Sequence, residues 1–102
     1  MTQVLGRVTS INVRKVLWML DEIGESYERT DWGLPLRDPN VPEFLALNPN
    51  GLVPVLIEDD GASLWESNAI LIYLAPTRGK LLSRHRQEMG LALQWLGWQS
   101  SA

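Results

Sequence analysis

Three short stretches hold the residue types that could do chemistry. In Thr9-Ser10-Ile11-Asn12, a hydroxyl and an amide stand at the start of an apolar helical pattern, where unpaired backbone N–H groups and the positive end of the helix dipole favour an anion. In Glu66-Ser67, a second helix start offers a hydroxyl and N–H groups to a carboxylate, and the Glu66 side chain can pair with an ammonium group. Between them, Leu52-Val53-Pro54 leads into a short apolar run. Each stretch also has a plain structural use: Ser10 or Asn12 can cap one helix, and Ser67 the other, with Glu66 solvated beside it.

The elements that must position these groups follow from periodicity and turn chemistry. Gln3 to Gly6 reads as a short opening strand. Val13, Val16, Leu17, Leu20 and Ile23 then fall on one face of a helix that Gly24 closes. Tyr27 to Trp32 forms a second strand, which predicts a βαβ unit with a parallel pair. Gly33 to Pro42 is a proline-rich loop, and Pro42 to Leu47 a short helix with proline in its first turn. The apolar run Val55 to Ile57, the turn Glu58-Asp59-Asp60-Gly61 and the return Ala62 to Trp65 read as a β-hairpin. Ala69, Ile70, Tyr73 and Leu74 mark the next helix, which Pro76 breaks. A linker over 77–84 and a further helical pattern over 85–102 complete the chain, the latter apolar on several faces. Trp95 and Trp98 on it favour self-association unless a partner covers them. Trp65 and Tyr73 are expected in the core, and His85 on the surface.

Composition narrows the function classes. The 102 residues, 45% of them apolar, suit one core rather than two. A net charge of −3 provides no basic footprint for nucleic acid or anionic membrane, so neither is expected as a partner. With no cysteine, any thiol chemistry must use a thiol brought by a ligand, and His85 has no second imidazole or thiolate with which to share a metal. No leader-like start and no apolar run of membrane-spanning length are evident, which makes a soluble cytoplasmic protein the expectation.

In this order and spacing, the run PEFLALNPNGLVP over residues 42–54, the hairpin, and Glu66-Ser67 before a helix resemble the amino-terminal half of the cytosolic glutathione S-transferases, bacterial serine-type or theta-like. The resemblance covers residues 1–76 as a domain and the remainder as one helix, so the sequence looks like a transferase truncated after the start of its helical domain. It implies a thioredoxin-like α/β fold: βαβ, a helix, then ββα, on a four-stranded mixed sheet with helices on both faces, followed by the first helix of an all-α second domain. It also implies reduced glutathione as co-substrate, a small electrophilic partner molecule, a homodimer and no metal.

By the same resemblance, Ser10 is the first candidate to donate a hydrogen bond to the glutathione sulfur and hold it as thiolate, with Asn12 and then Thr9 behind it. The first loop has no tyrosine and the chain no cysteine, so classes that use either fit poorly. Leu52, Val53 and a cis Val53-Pro54 bond would present backbone groups to the cysteinyl part of the tripeptide. Glu66 and Ser67 would anchor its γ-glutamyl end. Many relatives carry His, Gln or Lys just before the Val-Pro pair to meet the glycyl carboxylate, and Gly51-Leu52 stands there instead. Glutathione transfer to an electrophile is thus the expected function. The alternatives are an inactive binding or dimerisation module, or a glutathione-dependent isomerase, dehalogenase or disulfide reductase.

Overall fold

A computed structural model of the chain describes residues 1–78 and, beyond them, the helical residues Gln87, Gly90, Leu91 and Gln94. The elements run β1 (Thr2–Leu5), α1 (Ile11–Glu22), β2 (Tyr27–Thr30), α2 (Pro42–Leu45), β3 (Val55–Ile57), β4 (Ser63–Trp65) and α3 (Ser67–Arg78). β1 pairs in parallel with β2 and antiparallel with β3, and β4 pairs antiparallel with β3, giving the order β2-β1-β3-β4. The fold is thioredoxin-like, and the helical residues beyond 78 begin a further helical segment. Among the described residues, no helix is long and apolar enough to cross a membrane.

Alternation along the two central strands divides the apolar residues between two faces. Val4 and Leu56 point toward α1 and α3, into a cluster with Val13, Val16, Leu20, Ile70 and Leu74. Their neighbours Leu5 and Val55 point the other way, against Trp32 and Phe44. Phe44 from α2 and Trp32 meet at 4.9 Å between ring centroids, and the Arg37 guanidinium lies 3.7 Å above the Trp32 ring. Trp32 therefore leaves the sheet: β2 ends at Thr30, although the Arg7 N–H still donates to the Trp32 carbonyl at 2.8 Å.

Helix α1 begins and ends by local chemistry. The Ser10 Oγ accepts the Val13 N–H at 3.4 Å, and Gly24 at φ +71° closes a Schellman motif in which Glu25 N–H donates to Leu20 O and Gly24 N–H to Asp21 O. The short helix α2 stops at Leu45, two residues before the expected end.

The expectation that Pro76 breaks α3 is corrected, because the helix runs on to Arg78. Proline deprives the Ile72 carbonyl of a helical donor, which near a helix end is a limited loss. The last turn is held in other ways. The Thr77 hydroxyl donates to Tyr73 O at 2.7 Å, and Arg78 is bound on two sides. Its Nε meets Glu25 Oε1 at 2.5 Å and its Nη2 meets Glu58 Oε1 at 2.6 Å. Tyr73 adds an O–H donated to Glu58 Oε2 at 2.5 Å, and Thr2 an O–H to Glu25 Oε2 at 2.6 Å. The Arg78 bond pulls the Glu58 carboxyl below its ordinary range against burial. Burial pushes Glu25 up, but its bonds from Arg78 and Thr2 outweigh that and leave it lowered. Val53-Pro54 is cis, as the resemblance implied, and so is Leu34-Pro35, which nothing in the sequence marked. The expected linker, together with His85, Trp95 and Trp98, lies outside the described residues.

Candidate functional site

The N-terminus of α3, the first turn of α1 and the segment before β3 converge on a cleft of about 200 Å³. From α3 come Ser67 and Asn68, preceded by Glu66; from α1 come Asn12 and Lys15; from the loop before β3 come Asn48, Asn50, Leu52, Val53 and Pro54; and Trp65 comes from the end of β4. Glu66 is the only non-glycine residue with positive φ among the described residues, at +78°. That conformation is sparsely populated for residues with a Cβ, and it is held here because Glu66 itself caps the helix. Its Oε2 accepts the Ala69 N–H at 2.9 Å and its carbonyl the Ile70 N–H at 3.0 Å.

The cap on α3 is thus Glu66, and Ser67 is the first residue within the helix. This differs from the plain structural use of Ser67 as a cap, and it leaves the Ser67 hydroxyl with no protein partner among the described residues, although the residue is only 5% exposed. The N–H groups of Ser67 and Asn68 are the first two of the helix, and such positions have no intrahelical acceptor. Asn68 Oδ1 is buried with no partner. One wall of the cleft is therefore rich in unused hydrogen-bonding groups.

Val53 forms the opposite wall. Neither its N–H nor its C=O takes a hydrogen-bond partner among the described residues, whereas the sheet pairing of β3 starts only at Val55. Its neighbour Leu52 is tied back: the Leu52 carbonyl accepts Asn48 Nδ2 at 2.9 Å. Asn48 is 2% exposed, and its Oδ1 accepts both the N–H and the side-chain Nδ2 of Asn50 at 3.0 Å. This asparagine thus sets the path of the chain from α2 to Val53. Beyond Val53 a second hollow of about 350 Å³ lies between Arg7, Leu34, Asp38 and Leu52.

Of the residues singled out in the sequence, Asn12, Leu52, Val53, Pro54, Glu66 and Ser67 all line the cleft. Ser10 does not line it and is instead the cap of α1, with its oxygen turned to Val13 N–H. Trp65 is not in the core. It ends the edge strand β4, is 42% exposed and borders the cleft, and of the three β4 residues Leu64 is the most buried. Sequence reasoning missed Lys15, Asn48, Asn50 and Asn68. The Asn-Pro-Asn-Gly turn was the available signal for the middle pair. For Lys15 the signal was its position one helical turn after Asn12.

Comparison with known proteins identifies the family and the fold. The sequence model of the family described as "Glutathione S-transferase, N-terminal domain" matches residues 9–77. Glutathione S-transferase GstB of Escherichia coli K12 is 41% identical over 101 residues, a match covering 96% of this chain and 49% of that protein. The disulfide-bond oxidoreductase YfcG of the same organism is 36% identical over 94 residues, covering 86% of this chain and 44% of YfcG. Among solved structures, the theta class glutathione S-transferase from Xanthomonas axonopodis pv. citri with glutathione bound superposes with a TM-score of 0.81 at 39% identity, over 99% of this chain and 49% of that one. The fold is that of a thioredoxin-like domain with an open cleft at the start of its last helix. The chain belongs to the glutathione S-transferase family. It spans about half the length of the curated relatives it matches.

Proposed function

We propose that the cleft binds reduced glutathione and that, in the active protein, the bound thiolate attacks an electrophilic carbon. The observation that carries this reading is the pairing, across one cleft, of a free Val53 backbone edge with an unspent helix start at Glu66-Ser67. An extended tripeptide can add to the first as a strand, and its γ-glutamyl carboxylate suits the second. In this reading Glu66 meets the ligand's ammonium group, Ser67 its carboxylate, and Leu52-Val53-Pro54 the cysteinyl backbone. Leu52 has no polar side chain, so the glycyl end is assigned to the hollow bordered by Arg7.

The sulfur is assigned to Ser10 and Asn12. Asn12 borders the cleft, and Ser10 accepts a bond at its oxygen while keeping its own O–H to donate. A donor to the sulfur, together with the start of α1, stabilises the thiolate over the thiol, whose free pKa is about 8.5. The thiolate lone pair then forms the new S–C bond as the leaving group departs with its electron pair or the acceptor double bond takes it up. A second reading, glutathione-dependent disulfide reduction, is favoured by the similarity to YfcG. In it the thiolate attacks a disulfide sulfur, the displaced thiolate leaves, and a second glutathione resolves the mixed disulfide.

The test is a titration of the purified chain with reduced glutathione, followed through backbone amide shifts and repeated with Ser67→Ala. Saturable shifts about Val53 and Ser67, weakened by the substitution, are expected. A folded chain whose amides stay unmoved at millimolar glutathione overturns the reading. Parallel assays with an activated aryl halide and with a small disulfide then separate transfer from reduction.

A further inference from the structure

The charges in the cleft specify more about its ligand than the neutral groups do. Of the described residues lining it, one is a cation, Lys15, and one an anion, Glu66; most of the other polar ones are asparagines, with Ser67. The two charges feel one another, since the Glu66 carboxylate supports the Lys15 ammonium against burial. They form no ion pair, and the Lys15 ammonium has no hydrogen-bond partner among the described residues. Glu66 has one carboxylate oxygen on the Ala69 N–H and the other unpaired. Burial lowers the Lys15 pKa from its ordinary value, as expected for an ammonium that has lost water and gained no acceptor. Two opposite charges that line one small cleft without pairing disfavour a bare anion, which Glu66 repels, and a bare amine, which Lys15 repels. A group carrying both signs on adjacent atoms fits.

We propose that Lys15 is a binding residue for the α-carboxylate of a zwitterionic amino-acid terminus whose ammonium group is taken by Glu66. In glutathione this is the γ-glutamyl end, with Ser67 sharing the carboxylate, so the inference rests on the reading above and deepens it. Lys15 and Glu66 together then act as a two-charge gauge that selects a free amino-acid head. Lysine suits the task because its compact charge sits on a flexible stem and needs no fixed plane to engage one oxygen.

The experiment measures affinities of the full chain, by calorimetry, for three peptides: glutathione, γ-aminobutyryl-cysteinylglycine, which lacks the α-carboxylate, and glutaryl-cysteinylglycine, which lacks the α-ammonium. The native chain is expected to bind each analogue about tenfold more weakly than glutathione, the scale of one charge-assisted hydrogen bond. Lys15→Met should weaken glutathione about tenfold and leave the γ-aminobutyryl peptide unchanged, while still discriminating against the glutaryl peptide. Lys15→Arg should restore part of the loss. Equal losses for glutathione and the γ-aminobutyryl peptide, or none for either, overturn the assignment of Lys15 while leaving the glutathione site standing. A native chain that binds none of the three overturns both. Amide spectra confirm that Lys15→Met is folded; should it not be, Lys15→Gln and the native chain's own ranking of the three peptides decide the matter.

Discussion

The two ends of α3 treat charge in opposite ways. At its start, Glu66, Ser67 and nearby Lys15 face a cleft with little to bind one another. At its end, Arg78 is saturated by Glu25 and Glu58, which in turn take hydrogen bonds from Thr2 and Tyr73. Ser67 is 5% exposed and the ion-paired side chains of Arg78, Glu25 and Glu58 are 18%, 19% and 14% exposed, while Lys15 is partly buried and Glu66 is exposed. What differs is whether the protein supplies the partners. A closed network stabilises the fold, whereas an unfinished one beside a cleft leaves room for a ligand.

Breaking the closed end should produce the largest effect. Arg78→Met removes both ion pairs and leaves Glu25 and Glu58 facing each other as like charges, for about 2–4 kcal/mol of destabilisation after allowing for partial exposure. In a domain of this size that is roughly 10–20 °C in Tm. Because both glutamates titrate below their ordinary range, their contribution is complete above the unfolded value of about 4.3 and is lost as pH falls through the lowered folded values. Denaturant melts stepped from neutral pH downward should show the native chain and the variant converging in acid. A gap that stays constant with pH would mean that the network contributes through packing rather than charge.

The open end should respond in the reverse sense. Ser67→Ala removes a hydroxyl that no described residue engages, so stability should move by less than about 0.5 kcal/mol. Glutathione affinity should fall about tenfold, or roughly 1.4 kcal/mol. Thermal melts beside ligand titrations check both halves. A large loss of stability would show Ser67 to be a structural group after all, and the contrast between the two ends would fail.

The contrast also explains what could be read from the sequence. The hairpin, the Gly24 stop, the Ser10 cap and the Val53-Pro54 and Glu66-Ser67 stretches are local signals, each written within a few residues. Asn12, Glu66 and Ser67 were legible as helix starts for the same reason, whereas Lys15 and Asn68, deeper in the same helices, were not. The Arg78 network was not, because Arg78 and Glu25 are separated by 53 positions and meet only in the assembled fold. That unseen anchor also explains why Pro76 failed as a stop signal, since the turn containing it is held from outside the helix. Trp65 misled for a different reason. Its bulk argued for the core, but an edge strand of three residues has one side that the fold leaves uncovered.

The smallest effect sharpens the comparison most. Tyr73→Phe keeps the ring, which packs against the main core, and removes only the O–H donated to Glu58. In the native chain Glu58 keeps its two bonds from Arg78, so the cost should be about 1 kcal/mol. In the Arg78→Met background the tyrosine hydroxyl is the remaining donor to a sheltered carboxylate, and the same substitution should cost measurably more. A double-mutant cycle by urea unfolding measures that difference. A nonzero coupling shows that the closed end acts as one cooperative unit. Additive losses would make it a set of separate contacts, and the difference between the two ends would then lie in partner number alone.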